Sequence, residues 1–316
     1  MKPNLKIIGM ASVFMLGACA SMLDEDRALA TVPYNINTDR GIVIEARVNG
    51  QGPFNFALDT AASISVVFDE LSRTLELNPV SDDEIMIQGL VASGKFPLLG
   101  VDHITVGDEA WTEPSIASLP GEAVSRPGID GILGIDFLRR YAIGFSTQEK
   151  VIRLYPPDHL DTTPAWGWTS VPLELLVVGD TRTALYFFEI EVGGVRMPAV
   201  FDLGAGLNMM NWAAATHLGL DPVAMRNGTE VSGAIESTPV VARIKTTKLT
   251  TGDIHWQNED FMIAELDIFK TLKHDATPCA ILGSGLFTQR DFIIDFKRNR
   301  LLVKTSMQEE SQSSHD

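Results

Sequence analysis

Phe56-Ala57-Leu58-Asp59-Thr60-Ala61-Ala62-Ser63 runs an apolar segment straight into an aspartate and a cluster of small residues. The same event recurs at Ala199-Val200-Phe201-Asp202-Leu203-Gly204-Ala205-Gly206, where a second apolar run ends in a second aspartate 143 positions later. Two carboxylates presented by equivalent turns are what a pseudo-two-fold acid/base pair requires.

A true internal repeat holds its offset through neighbouring features and drifts only at loops. Upstream, Glu45-Ala46-Arg47-Val48-Asn49-Gly50 matches Glu189-Ile190-Glu191-Val192-Gly193-Gly194 at an offset of 144. Downstream, Leu75-Glu76-Leu77-Asn78-Pro79 matches Leu218-Gly219-Leu220-Asp221-Pro222 at 143. Ile87-Gln88-Gly89 then pairs with Val231-Ser232-Gly233, and the Gly107-Asp108 turn before Trp111 with the Gly252-Asp253 turn before Trp256. Gly131-Ile132-Leu133-Gly134 finally matches Ala280-Ile281-Leu282-Gly283, with the offset grown to 149. The same features occur twice in one order, so the chain is a duplication.

With 316 residues, 45% hydrophobic and 21% charged, the chain has the length for two lobes and the apolar content for two cores. A net charge of −16 repels phosphate backbones, so nucleic acid is excluded as a partner. None of the six histidines lies at the i, i+3 or i+4 spacing of a helical metal pair, and the two cysteines are 260 positions apart. No metal site and no cofactor are expected.

The amino terminus reads as a targeting segment, residues 1–18, with Lys2 and Lys6 ahead of the apolar run Ile7 to Leu16. Leu16-Gly17-Ala18-Cys19 resembles the lipobox of bacterial lipoprotein signals. That resemblance implies cleavage before Cys19, lipid on its sulfur, and, with Ala20 next, the periplasmic face of the outer membrane. An ordinary signal peptide is the other reading of the same residues. Cys279, beside Ala280-Ile281-Leu282, reads as a small buried hydrophobe.

Residues 19–39 are expected to form a tether, 40–155 a first lobe, 156–170 a proline-rich connection, 171–305 a second lobe and 306–316 a disordered tail. Ile42, Ile44, Ala46 and Val48 alternate on one face of a strand. Asn49-Gly50 turns it into a hairpin partner that carries Asp59 at its end. Phe68, Leu71 and Leu75 shift to helical spacing, and Asn78-Pro79 closes that helix. Ile85 to Gly94 reads as a strand running into a flap turn. Many short strands, glycine turns and the lack of long crossover helices define an all-β chain: two pseudo-symmetric β-barrel lobes, each with one short helix. Asp136 and Asp295 read as caps or solvated residues, and Trp111 and Trp256 as hairpin packing.

Each lobe, from hairpin and Asp turn to the closing Ile-Leu-Gly segment, resembles a retropepsin-like aspartic protease unit, and two such units in one chain resemble pepsin. The resemblance covers roughly residues 40 to 305. It implies an aspartic-type endopeptidase in which Asp59 and Asp202 are catalytic and activate a water on an extended peptide. It further implies that Thr60 braces the dyad, that Ser63 hydrogen-bonds the outer oxygen of Asp59, and that Ala61, Leu203 and Gly204 complete the support. Gly89 and Gly233 would lie in flaps. The sequence departs from the family pattern at three positions. Ala61 adds a methyl where glycine is usual, Leu203 lacks the bracing hydroxyl, and Gly206 leaves Asp202 without a counterpart of Ser63. These departures keep open a catalytically silent envelope lipoprotein that binds peptides or proteins in the same cleft. Two chains pairing their first lobes, each contributing Asp59, is a third arrangement; the duplication favours a monomer.

Overall fold

The computed structural model describes residues 23–88, 93–120, 128–160, 167–178, 183–221, 229–232, 237–240 and 242–305. The expected signal segment, Cys19, flap glycines Gly89 and Gly233, part of the connection and the tail lie outside them. Among the described residues strands dominate and the helices are short, so the architecture is all-β with two lobes.

Each lobe is built around a hairpin that ends in an aspartate. In the first, Ile42–Val48 pairs antiparallel with Gln51–Leu58 through Asn49-Gly50, whose φ angles of 50° and 75° are those of a tight hairpin turn. In the second, Thr183–Val192 pairs with Val195–Asp202 through Gly193-Gly194, at 54° and 84°. The aspartate-bearing strand then pairs in parallel with the Ile-Leu-Gly segment, Gly131–Leu133 in one lobe and Ala280–Gly283 in the other. Val66–Phe68 and Asn208–Met210 pack antiparallel on the far side of those segments.

This interleaving needs glycine. A Cβ on Gly134 would lie 2.5 Å from Ala62 O, and one on Gly283 2.5 Å from Ala205 O. Backbone therefore touches backbone behind both aspartate loops.

One short helix follows the loop in each lobe, Asp69–Thr74 and Trp212–His217. Asn211 caps the latter by accepting Ala214 N–H at 2.9 Å. Further single turns, Ile135–Leu138 and Ser284–Phe287, begin directly after the closing glycines, and Asp267–Thr271 adds a fifth helix. Four- and five-residue helices are too short for periodicity to reveal.

The lobes share a six-stranded layer in the order Trp168–Pro172, Arg300–Lys304, Phe292–Asp295, Ala142–Ser146, Val151–Tyr155, Ala30–Ile36. Its centre is the antiparallel pair Ala142↔Asp295 to Phe145↔Phe292, where the Phe145 and Phe292 rings stack 4.1 Å apart. Two expectations are corrected here. Ala30–Ile36, expected within a tether, is a strand whose Ala30, Val32 and Tyr34 are buried. Alternation with Thr31, Pro33 and Asn35 is the pattern of a strand, and Pro33 is the residue that reads against it. Trp168–Ser170, expected in the connection, begin an edge strand against Arg300–Lys304.

Each lobe also extends a hairpin. Pro79–Gln88 pairs with Ser93–Gly100, which continues into the sheet through Leu98↔Ala117. Thr229–Ser232 and Ser237–Val240 instead form a two-stranded sheet of their own.

Candidate active site

Asp59 leaves the end of Gln51–Leu58, where its own N–H still bonds Leu133 O at 3.1 Å. Beyond it the chain turns back over its carboxylate. Asp59 Oδ1 accepts Ala61 N–H at 2.8 Å and Ala62 N–H at 2.9 Å, two bonds that fix the orientation of the carboxyl. The methyl of Ala61 does not obstruct this. It packs against the second lobe's apolar cluster, which includes Ala205 and Met209. The departure from glycine at 61 therefore leaves the backbone donor in place.

Asp202 ends Val195–Asp202 in the same way, and its Oδ1 accepts Ala205 N–H at 3.0 Å. It is only 2% exposed, whereas Asp59 is partly exposed. The two turns meet. Gly204 lies so close that a Cβ there would collide with Asp59 Cγ and Oδ2, so glycine is the residue this contact admits.

Thr60, fully buried, ties the turns together. Its hydroxyl donates to Phe201 O at 2.7 Å and accepts Leu203 N–H at 2.9 Å, satisfying two backbone groups that flank Asp202. Leu203, the counterpart of Thr60, is also fully buried and contributes apolar packing only. The brace runs one way, from the first lobe to the second.

Ser63 is a correction. It does not turn toward Asp59: its hydroxyl accepts Ala184 N–H at 2.7 Å and directs its single proton to Ala184 O at 3.3 Å. The glycine at 206 has an equally local cause. A Cβ there would collide with Asp39 O, so the backbone of residues 39 and 40 fills the space a side chain would need.

Two supports were not read from sequence as part of the site. Asp136 accepts Ser65 Oγ–H at 2.6 Å, Ser65 N–H at 2.8 Å and Phe137 N–H at 2.9 Å, and Ser65 Oγ accepts Gly134 N–H at 3.0 Å. Burial pushes the Asp136 carboxyl above the usual carboxylate range, although these bonds pull the other way. In the second lobe Asn208 Oδ1 takes Gly283 N–H at 3.1 Å, and the counterpart of Asp136 is Gly285. The repeat itself could have flagged these pairs, since Ser65 and Asn208 are both short polar residues 143 positions apart.

The remaining candidates are structural. Asp295 is fully buried between Arg298 and Arg300, with Arg300 Nε at 2.9 Å. Trp111 packs on Phe137 and Trp256 on Phe287. Cys279 is buried and its thiol is pushed up to about 12 by desolvation, so it is no nucleophile. Among the described residues no cluster of three or more metal-ligating side chains occurs.

Two all-β lobes, each bringing an aspartate turn against the other, define a protein of the two-lobed acid-protease type. The aspartyl protease family profile matches residues 44–137 and again 188–286, once in each lobe and over more than half of the chain. The chain belongs to the aspartyl protease family. Among solved structures it is similar to conglutin gamma, a basic 7S globulin from lupine seeds. The TM-score is 0.52 at 10% identity, over 88% of this chain and 95% of that one, a likeness of fold. No curated protein matches by sequence.

Proposed function

We propose that this protein is an aspartic-type endopeptidase in which Asp59 and Asp202 act as one dyad. The observation that carries the reading is the contact of the Asp59 carboxyl with Gly204, two residues after Asp202, beneath the Thr60 brace. Two carboxyls at such a junction cannot both ionise cheaply, so they share a proton and titrate as a pair. The ionised member takes a proton from a water held between them. The protonated member donates to the carbonyl oxygen of the scissile amide as it becomes tetrahedral. The loop N–H groups on each Oδ1 keep the carboxyls oriented during that exchange. The substrate is an extended peptide held between the lobes under the two hairpins. The enzyme works as a monomer, fastened to the cell envelope by lipid on Cys19.

The test is hydrolysis of a peptide library at mildly acidic pH by the wild type, Asp59→Asn and Asp202→Asn. Each variant should lose on the order of 10³-fold or more in kcat, because members of a catalytic unit fail together. Turnover that survives both substitutions would falsify the dyad. Peptide binding by a wild type that never turns over would instead favour a silent binding module.

A further inference from the structure

Both aspartate loops are fastened to the opposite lobe, by serines that are not equivalent in the repeat. In the first lobe the fastening is Ser63, whose hydroxyl bonds both the N–H and the C=O of Ala184. Ala184 lies at the start of Thr183–Val192, the first strand of the other lobe's hairpin. The counterpart of Ser63 is Gly206, where Asp39 O leaves no room for a side chain.

The second lobe makes its fastening from another position. Ser284 Oγ donates to Arg40 O at 2.6 Å and lies 3.0 Å from Ala205 O, while its N–H donates to Ala205 O at 2.7 Å. It thus bridges the loop of Asp202 to Arg40. Arg40 precedes Ile42–Val48 as Ala184 opens its own strand, and the two are 144 positions apart, the offset of the hairpins themselves.

The acceptor is held firmly. Asn37 Oδ1 takes the N–H groups of Asp39 at 3.0 Å and Gly41 at 2.7 Å, and Arg40 N–H bonds Asn37 O at 3.0 Å. The counterpart of Ser284 in the first lobe is Ile135, which keeps the N–H bond to Ala62 O at 2.7 Å and has no hydroxyl. Each lobe therefore has one crossing serine, on the loop in one case and on the closing segment in the other.

We propose that Ser63 and Ser284 are positioning residues that set the separation of Asp59 and Asp202 by latching each loop to the opening strand of the other lobe. This rests on the proteolytic reading above. Proton sharing between two carboxyls depends steeply on their distance, since it is the repulsion of like charges that separates their two apparent pKa values. Loosening a latch lets the loops part, which brings those values together and narrows the pH range in which one proton is held.

The experiment compares wild type, Ser63→Ala, Ser284→Ala and Ser63→Thr. The two alanine variants should lose about ten- to a hundredfold in kcat with little change in KM. Their bell-shaped plots of kcat against pH should be narrower than the wild type's. Ser63→Thr, which keeps the hydroxyl, should restore both. If Ser284→Ala does not fold, Ser284→Cys keeps the volume and weakens the donor, and should show the same narrowing. A bell of unchanged width in the alanine variants, or threonine doing no better than alanine, overturns the proposal. Amide exchange at Ala184 reports on the first latch without any activity: it should be slow in the wild type and faster in Ser63→Ala. Should the wild type cleave nothing, the proteolytic reading falls and this exchange still decides whether the latch exists; equal rates in both proteins remove it.

Discussion

The loop of Asp59 and the loop of Asp202 follow one backbone course and are held on it by different side chains. Around Asp59 the support is polar: Thr60, Ser63, Ser65 and Asp136 all bond backbone. At the matching positions around Asp202 stand Leu203, Gly206 and Gly285, and only Asn208 keeps the bond its counterpart Ser65 makes, to the N–H of the closing glycine. The second loop is held by groups that reach it from elsewhere, Thr60 across the junction and Ser284 from the closing segment. When two units are fused in one chain, a single hydroxyl can serve both sides of the axis, and the other side is free to become apolar. Equivalent geometry does not require equivalent residues.

The sharpest way to break this comparison is to exchange residues between the loops. Gly206→Ser puts a Cβ against Asp39 O, backbone that cannot give way, and should cost about 3 kcal/mol in urea unfolding. Ser63→Gly, the reverse exchange, should cost about 1 kcal/mol, the net worth of its hydrogen bonding. Similar losses for the two would end the claim that the difference is steric.

Next in size is Thr60→Val, which keeps the shape and strands Phe201 O and Leu203 N–H in the interior. The expected loss is about 2–3 kcal/mol, against about 1 kcal/mol for Leu203→Val on the apolar side.

The smallest effect is a slope with pH. The folded-state value of Asp136 is raised by burial, so its contribution to stability is full below the unfolded carboxyl value and is lost as pH rises through the folded one. Wild-type unfolding free energy should therefore carry a falling component from about pH 4 upward. Glu265 of the second lobe is raised by burial as well and adds to the same fall, so Asp136→Asn should reduce the slope without abolishing it, with the largest deficit relative to wild type in acid. An unchanged slope would refute the contribution of Asp136.

Much of this arrangement was legible in the residue order. The repeat located both lobes, both aspartates and the closing glycines, because a duplication leaves its offset in every hairpin turn. The hydroxyl of Thr60 was expected to reach the facing loop, and it bonds Phe201 O and Leu203 N–H there. The role of Ser63 was not legible, since which of two nearby acceptors a hydroxyl meets depends on a strand 121 positions away. Gly206 looked like missing support, and is instead where the chain at Asp39 passes through. The shared six-stranded layer was hidden because edge pairing between Ala142–Ser146 and Phe292–Asp295 leaves no local signal beyond two apolar strands. Ala30–Ile36 alternates apolar and polar residues as a strand should, and only Pro33 within it reads against one.

That shared layer has a consequence for how the halves could exist apart. A polypeptide ending near residue 160 would expose the whole hydrogen-bonding side of Ala142–Ser146, now occupied by Phe292–Asp295, together with the bare ring of Phe145. Such a margin is sticky toward any antiparallel neighbour, and its nearest match is its own twin. Severed from its sibling, the first lobe would carry an unpaired strand edge open to any antiparallel partner, a second copy of itself included.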